Sequence, residues 1–454
     1  MLSPAAFKAY DVRGIVPDEL DADGAYALAR GYVSAFEPRV MAIGRDMRLS
    51  SPDLAAAAVR GATDAGANVV ELGQIGTEML YFAVGEYGYE GGLQVTASHN
   101  PAAYNGMKIV RRGALPVGSD TGLDKIKTAA LGDLPQPSGD PGEVEHRDVY
   151  AGFHDRVASF VDASAVRPLN IVLDGCNGMA GPMIAPVLDR LPVQVSAHNF
   201  EPDGHFPAHE PNPLLEENRR FIIERVRAEG ADLGIAWDGD ADRCFFIDDT
   251  GAFVDGDFLT ALLAEALLRQ SLAAGTAAPG VAILYDVRAS RAVADTVTRA
   301  GGTPLVNRVG HAFFKTRMRQ EGALFGGEVS GHYYFRDFYC ADSGTIPALL
   351  VLELLKRAGR PMSELLAPYR DRYFISGEIN SEVSDPLAKI EQLAARYADA
   401  RQERLDGLSI DYTDWHFNVR PSNTEPLLRL CLESLISPAD MVRRRDEVLA
   451  LIRS

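Results

Sequence analysis

Short apolar runs alternate along most of the chain with longer segments rich in Ala, Leu, Arg and Glu. The short runs are typical of buried strands, and the longer mixed segments favour helices. The predicted strand and helix units are Val40–Ile43, Leu54–Ala67 and Val69–Leu72; Asn170–Leu173, Met183–Leu191 and Val193–Val195; and Ala282–Tyr285 with Ala289–Ala300. The recurrence of this unit in three consecutive regions predicts three similar α/β domains with mixed sheets.

The pattern changes after Gly359-Arg360-Pro361. The strands predicted beyond this point are Ile375–Ile379, Trp415–Val419 and Leu427–Leu432, and the helices are Leu387–Arg401 and Pro438–Ile452. They predict a smaller C-terminal α+β domain. With boundaries at Gly-, Pro- and Asp-rich segments, we expect domains at 1–146, 147–248, 249–366 and 367–454, arranged around a central cleft.

Composition narrows the classes of function. A chain of 454 residues with 46% hydrophobic content can bury several cores. The net charge of −18 argues against nucleic acid and anionic membrane surfaces as partners, because both attract clustered Lys and Arg. The four cysteines are scattered without a CxxC pair, which favours buried thiols, and the apolar stretches are too short to span a membrane. We therefore expect a cytoplasmic protein.

The most informative segment follows the predicted strand Leu233–Trp237. Asp238, Asp240 and Asp242 stand on alternate residues around Gly239. A tight turn would let the three carboxylates converge on one hard cation, and Mg²⁺ is the expected occupant. The alternative is an acidic surface turn, but three acids at one strand end would repel each other without a cation.

Arg243 follows these acids directly. A guanidinium beside a caged divalent ion is a common way to hold a phosphate, so this segment already points to phosphoryl chemistry.

A second motif presents a hydroxyl group after another predicted strand. Ser98 stands in a segment that ends at Pro101, with His99 beside it, and is a candidate nucleophile. An ordinary turn in which Ser98 caps the backbone is the alternative. Lys108 follows in Asn105-Gly106-Met107-Lys108 and supplies a cation that could lie near the same loop.

A third motif contains Glu328, Ser330 and His332, after Gly322–Phe325, which we predict to be a strand. Side chains on alternate positions point the same way, which suits the gripping of sugar hydroxyls. A hairpin with solvated polar residues is the alternative.

A fourth motif is Arg420-Pro421-Ser422-Asn423-Thr424-Glu425-Pro426. Hydroxyls, an amide and exposed backbone N–H groups in one turn could surround an oxyanion. A simple capping turn is the alternative.

Together these motifs carry a family resemblance that covers nearly the whole chain. In order and spacing they resemble those of the α-D-phosphohexomutases, as do Ala9-Tyr10-Asp11-Val12-Arg13-Gly14 and Gly310-His311-Ala312-Phe313-Phe314-Lys315. The chain is most similar to the bacterial phosphomannomutase/phosphoglucomutase branch. Ser422-Asn423-Thr424 favours that branch, because phosphoglucosamine mutases typically carry Ser-Gly-Thr there.

The resemblance implies a mechanism. Ser98 would carry a phosphoryl group, and Mg²⁺ would bind one phosphoryl oxygen of Ser98 together with Asp238, Asp240 and Asp242. The phosphoryl group would pass to a hexose monophosphate and form a hexose 1,6-bisphosphate, which is also the expected activator. This intermediate would turn over in the site and return its other phosphate to Ser98, so that phosphate moves between O1 and O6.

The resemblance also distributes roles among the residues. The expected catalytic residues are Ser98, His99, Lys108, Arg13, Arg243 and His311. The expected substrate contacts are Tyr10, Arg288, Glu328, Ser330, His332, Arg420, Ser422, Asn423 and Thr424. His99, Lys108 and His311 are all open as the proton-transfer group, and Lys108 would need a cationic neighbourhood to lower its pKa. Arg288 departs from some relatives, which have Lys there.

Substrate choice and assembly follow from the same resemblance. Mannose and glucose differ at O2 of the sugar, and no residue is expected to make an obvious dedicated contact with that oxygen. Activity on both mannose and glucose phosphates is therefore expected. A mutase for glucosamine or N-acetylglucosamine phosphates, a phosphatase with an Asp nucleophile and a non-catalytic sugar-phosphate sensor are the alternatives. We expect a monomer or weak homodimer whose fourth domain swings to close on the phosphosugar.

Overall fold

A computed structural model of the protein describes residues 2–132, 139–421 and 427–454. Ser422, Asn423 and Thr424 of the fourth motif lie outside the described residues. The chain divides into two units. The first contains the residues up to Val254 together with Ser330–Met362, and the second contains Asp255–Val329 and Ser363–Ser454.

The first region builds a mixed sheet flanked by helices. Its elements are β1 Val12–Ile15, α1 Ala22–Phe36, β2 Val40–Arg45, α2 Ser51–Asp64, β3 Asn68–Gln74, α3 Thr77–Glu86, β4 Gly91–Val95, β5 Tyr104–Arg111, β6 Leu115–Pro116, α4 Leu123–Leu131 and β7 Val144–His146. Parallel pairing joins β2 to β3 and β4, and β3 to β7. β5 runs antiparallel to β1, β4 and β6. Because β1 and β4 both pair with β5, β1 and its residue Arg13 lie near the loop between β4 and β5.

The second region has a similar mixed sheet. Its elements are α5 Tyr150–Ala158, β8 Leu169–Asp174, α6 Ala180–Leu188, β9 Val193–His198, α7 Glu216–Glu229, β10 Leu233–Trp237, β11 Cys244–Ile247 and β12 Phe253–Val254. β8 pairs in parallel with β9 and β10, whereas β10, β11 and β12 pair antiparallel. All of β10 is buried, as expected of a continuous apolar run. The domain boundary that we propose after residue 248 lies inside the β11–β12 hairpin.

The third region again alternates helices with strands. Its elements are α8 Gly256–Ala273, β13 Ala282–Asp286, α9 Arg291–Arg299, β14 Thr303–Asn307, α10 His311–Glu321, β15 Phe325–Gly327, β16 Tyr333–Phe335, β17 Ala341–Asp342, α11 Thr345–Ala358 and α12 Met362–Arg370. β13 pairs in parallel with β14 and β15, and β16 pairs antiparallel with β17. The strand predicted from Gly322 begins only at Phe325, because Gly322 (φ 61°) is the left-handed cap that ends α10.

The C-terminal region is an α+β unit, as predicted. Its elements are β18 Phe374–Glu382, α13 Pro386–Arg396, β19 Arg401–Glu403, β20 Leu408–Asp411, β21 Trp415–Pro421, β22 Leu427–Ser434 and α14 Pro438–Arg453. The strands form one antiparallel sheet in the order β18-β22-β21-β20-β19. Leu408, Phe417, Leu430 and Val448 are fully buried between this sheet and its helices.

Short 3-10 turns at Pro4–Ala6, Arg112–Ala114, Ser119–Thr121 and Ala163–Ala165 complete the set of described helical segments. Among all of these, no helix is long and apolar enough to cross a membrane.

Candidate active site

The loop between β10 and β11 gathers the three aspartates of the first motif. Asp238, Asp240 and Asp242 are fully buried, and one carboxylate oxygen of each lies within 4.8 Å of the others. Ala241 adopts a left-handed conformation (φ 61°), which turns the chain back into β11. An acidic surface turn is therefore excluded, because water does not reach these carboxylates.

This cluster fits a hard divalent cation. Oδ1 of Asp240 and Oδ1 of Asp242 are buried and accept no hydrogen bond from any described residue. Their Oδ2 atoms both accept hydrogen bonds from Lys108 Nζ, at 2.6 Å in the case of Asp240. Burial raises the pKa of Asp238 to about 6, and the charges of Asp240 and Asp242 act in the same direction. Positive charge among these oxygens relieves that repulsion, and carboxylate oxygens are the ligands that such a cation prefers.

The loop between β4 and β5 brings Ser98 to this cluster. Ser98 is 2% exposed, and its Oγ donates a hydrogen bond to Asp238 Oδ2 at 2.8 Å. The backbone at Ser98 is left-handed (φ 52°), and its N–H donates to Thr96 Oγ1 at 2.9 Å. The Ser98 hydroxyl therefore points at the cluster of three aspartates instead of capping its own turn.

His99 lies beside the Ser98 hydroxyl, with Nδ1 3.2 Å from Oγ. Burial lowers the pKa of His99 well below its usual value, and the charges of Arg243, Arg13 and Lys108 lower it further. His99 is therefore neutral near pH 7.

Lys108 stands in the opposite environment. Burial acts to lower its pKa, but the carboxylates of Asp240 and Asp242 outweigh burial and raise the pKa. A base role would need a cationic neighbourhood, whereas the structure supplies an anionic one. Beside these two carboxylates Lys108 is protonated.

Two arginines of the predicted site also belong to the first unit. Arg243 Nε lies 2.8 Å from Asp238 Oδ2. Arg13 donates from Nη1 to Asn100 Oδ1 and from Nε to Asp11 Oδ2, each at 2.8 Å. Asn100 belongs to the loop between β4 and β5 (residues 96–103, the serine loop), and Asp238 belongs to the loop between β10 and β11 (residues 238–243, the aspartate loop). Both guanidinium groups are thus held by one of these loops or by Asp11 in the segment Ala9–Gly14.

The remaining predicted residues of the first unit are Tyr10, Ser330 and His332. His332 Nδ1 lies 3.0 Å from Asp342 Oδ2 and 3.8 Å from Asp242 Oδ1. Tyr10 and Ser330 are both half-buried. His332 thus joins the aspartate cluster.

In the second unit, arginines converge on a carboxylate that sequence reasoning missed. Glu378 Oε2 lies 3.0 Å from Arg420 Nη2 and 3.4 Å from Arg288 Nη1, and its Oε1 lies 3.1 Å from Arg429 Nη1. Burial acts to raise the pKa of Glu378, but Arg288, Arg420 and Arg429 outweigh it and lower the pKa to about 2. An anion is therefore strongly favoured at this position.

Glu328 and His311 also belong to the second unit. Glu328 Oε2 accepts the Gly310 N–H at 2.9 Å and lies 3.8 Å from Arg288 Nη2. His311 begins α10, where its Nδ1 lies 3.3 Å from Lys315 Nζ. Glu328 of the third motif thus lies in one cluster with Arg288 and the start of the Gly310–Lys315 motif.

Several contributors lie outside the four motifs. Thr77 Oγ1 donates to Asp240 Oδ2 and its N–H donates to the Asp240 carbonyl, although 163 residues separate the two. Nothing local marks Thr77 or Glu378 as functional. Asp286, which holds Arg288 at 2.8 Å, did carry a signal, since it is an acid directly after an apolar strand.

Comparison with known proteins shows the family to which the chain belongs. Models of the phosphoglucomutase/phosphomannomutase family match the chain in order: alpha/beta/alpha domain I at residues 4–133, domain II at 151–251, domain III at 255–373 and the C-terminal domain at 378–451. A phosphomannomutase of Salmonella montevideo is 43% identical over 99% of both chains. A protein of Xanthomonas campestris pv. campestris (strain B100) named "Phosphohexose mutases" is 42% identical over 99% of both.

A solved structure from Burkholderia thailandensis, described as a phosphoglucomutase/phosphomannomutase family protein, has a TM-score of 0.89. It is 32% identical and is matched over 99% of this chain and 97% of its own. Fold, site and relatives together define an isomerase-class enzyme of carbohydrate metabolism, a phosphohexomutase. The chain belongs to the phosphoglucomutase/phosphomannomutase family, which confirms the predicted α-D-phosphohexomutase family and its α/β domain composition.

Proposed function

We propose that this chain interconverts hexose 6-phosphate and hexose 1-phosphate, with mannose phosphates and also glucose phosphates as substrates. The reaction runs through phosphoserine at Ser98 and a hexose 1,6-bisphosphate, which also serves as activator. The observation that carries the proposal is the 2.8 Å contact of Ser98 Oγ with Asp238 inside a buried cluster of carboxylates. The relatives named phosphomannomutase and phosphohexose mutases, similar over nearly the full length, support sugar phosphates as substrates.

Asp238, Asp240 and Asp242 would hold Mg²⁺ together with an oxygen of the Ser98 phosphate. When bound, the ion offsets the negative charge that spreads over the phosphoryl oxygens during transfer. The chain adds its own cations there. Arg243, held on Asp238, and Arg13, held on Asn100, would stabilise the same charge.

In each half-reaction the bond from phosphorus to Ser98 Oγ breaks and a bond from phosphorus to a sugar hydroxyl oxygen forms, or the reverse. The sugar hydroxyl loses its proton to a base, and the released Ser98 oxygen gains one. When Ser98 attacks a phosphate, its hydroxyl proton passes to neutral His99, whose Nδ1 is 3.2 Å from Oγ. In the opposite half-reaction the protonated His99 returns this proton to the released Ser98 oxygen. Lys108 and His311 are the proposed candidates for the base that takes the proton of the sugar hydroxyl. Mg²⁺ on Asp240 and Asp242 would offset the two charges that hold Lys108 protonated.

Arg288 and Arg420 are the proposed partners of the phosphate that is not transferred, since both already bind a carboxylate, that of Glu378. Glu328 and Ser330 would grip O3 and O4. Tyr10, His311 and His332 are proposed further contacts, and the same holds for Ser422, Asn423 and Thr424.

The test is a coupled assay of mannose 1-phosphate and glucose 1-phosphate with Mg²⁺ and catalytic glucose 1,6-bisphosphate. We expect turnover of both substrates, and we expect Ser98→Ala to abolish it. Ser164→Ala is the control, because it makes the same chemical change at an exposed serine, and it should leave turnover unchanged. Turnover retained by Ser98→Ala would instead support an Asp nucleophile. Failure with both substrates would move the assignment to glucosamine phosphates or to a binding role.

We also propose that the protein is a monomer or weak homodimer. A monomer or weak homodimer would give a single light-scattering mass near that of one chain at low concentration.

A further inference from the structure

Arg48 lies behind the serine loop, in the segment between β2 and α2. It is 1% exposed, and its Nε lies 3.3 Å from Asp46 Oδ2. Asp46 in turn accepts hydrogen bonds from the Arg48 N–H at 3.0 Å and from Ser51 Oγ at 2.5 Å. The ion pair with Asp46 therefore holds the Arg48 guanidinium in one orientation, independently of its contacts with the serine loop.

The two terminal nitrogens of Arg48 bind four backbone carbonyls. Nη2 donates to Ser98 O at 2.8 Å and to Asn100 O at 2.6 Å. Nη1 donates to Pro101 O at 2.8 Å and to Tyr104 O at 2.9 Å. A planar fork of donors can gather carbonyls in this way, whereas a single ammonium cannot present the same geometry. One side chain thus organises the backbone from Ser98 to the start of β5.

The loop that Arg48 holds has little freedom on its other side. A Cβ atom at Gly239 would lie 2.5 Å from Ser98 O, so the aspartate loop packs directly against the Ser98 carbonyl. Ser98 itself has φ 52°, a conformation that costs free energy for a residue other than glycine and persists only where its surroundings enforce it. The position of Ser98 Oγ relative to Asp238 depends on that enforced backbone.

We infer that Arg48 is a positioning residue for phosphoryl transfer at Ser98. It fixes the nucleophile by binding the carbonyl of Ser98 and those of the following residues through the two terminal nitrogens of its guanidinium. The inference rests on the proposed function, because it presumes that Ser98 carries the phosphoryl group. A purely structural Arg48 would lower the fraction of folded protein but leave the transfer rate of each folded molecule unchanged.

A single-turnover experiment separates these cases. Ser98 is first phosphorylated with glucose 1,6-bisphosphate, and the protein is then mixed with excess mannose 6-phosphate in a quench-flow instrument. Loss of phosphoserine is followed by mass spectrometry. The rate constant of this step does not depend on how many molecules are folded.

We expect Arg48→Met to slow transfer roughly 100-fold, since small misplacements of reacting groups have effects of that order. Arg48→Lys should be intermediate, at about 10-fold, because it keeps the charge but loses the fork. Arg227→Met is the matched control. Arg227 donates to the carbonyls of Thr250 at 3.3 Å and Gly251 at 3.1 Å, away from the serine loop, and its loss should leave the rate constant within about twofold.

Wild-type transfer rates in both Arg48 variants would overturn the inference and leave Arg48 a structural residue. If Arg48→Met does not fold, the Arg48→Lys rate constant decides alone. A wild-type protein that never acquires phosphoserine would instead remove the proposed function, a result distinguishable from normal transfer in the variants.

Discussion

Glu378→Gln measures how much the ion pairs between Glu378 and three arginines of the second unit contribute to the stability of the protein. The substitution keeps the shape of the side chain and removes the charge that Arg288, Arg420 and Arg429 share. The pKa of Glu378 falls from the ordinary 4.5 to about 2. At about 1.4 kcal/mol per pK unit, that difference amounts to at most about 3.5 kcal/mol. The side chain is 23% exposed, so screening by water reduces the expected contribution to about 1–2 kcal/mol.

The sign of the pH dependence follows from the lowered pKa. A carboxyl whose pKa is lower in the folded state stabilises the protein fully above its unfolded value of 4.5 and loses this contribution as pH falls towards about 2. We therefore expect Glu378→Gln to reduce the free energy of unfolding at pH 7. The gap from wild type should narrow below pH 4.5.

Urea unfolding at pH 7 and at about pH 3.5 is the assay, with the lower pH chosen between the two pKa values. Glu391→Gln is the matched control, because Glu391 pairs with Arg404 at 2.8 Å on the surface, 66% exposed, where an ion pair contributes little. Equal stability of Glu378→Gln and wild type at pH 7, or a gap that does not narrow in acid, would refute the reasoning.

Three further changes test packing and the cation site. Gly61→Ala should lower the free energy of unfolding by about 2 kcal/mol in urea, because its Cβ would lie 2.3 Å from the Tyr26 carbonyl on α1; a smaller loss than 0.5 kcal/mol would contradict this packing. Thr77→Val removes the hydroxyl that donates to Asp240 and should weaken Mg²⁺ binding about tenfold by calorimetry, with unchanged affinity counting against a supporting role. Asp240→Asn should weaken Mg²⁺ binding more than Thr77→Val does; the reverse order would contradict the ligand assignment.

Local pattern was sufficient to place several of the strands. The predicted strand Leu233–Trp237 matches β10 because a continuous apolar run buried on both faces leaves no other placement. Helix ends were harder. α2 begins at Ser51, three residues before the predicted Leu54, because Pro52 fits the first turn of a helix. α13 ends at Arg396 instead of Arg401, because Arg401–Glu403 pairs with β20.

Contacts between distant parts of the chain could not be predicted from pattern. Lys108 lies 132 residues from Asp240, and only the fold reveals that its surroundings are anionic. The same holds for Arg48 and Thr77, whose roles depend on loops far along the chain. Such residues look locally like any other polar residue near a strand or helix end.

The most direct test of the account is the phosphorylation state of Ser98. Wild-type protein incubated with Mg²⁺ and glucose 1,6-bisphosphate should gain one phosphoryl group by intact-mass spectrometry, located on Ser98 by peptide sequencing. Excess mannose 6-phosphate should then remove it, and Ser98→Ala should gain none. Phosphate on another residue, or none on wild-type protein that still interconverts hexose phosphates, would contradict the account.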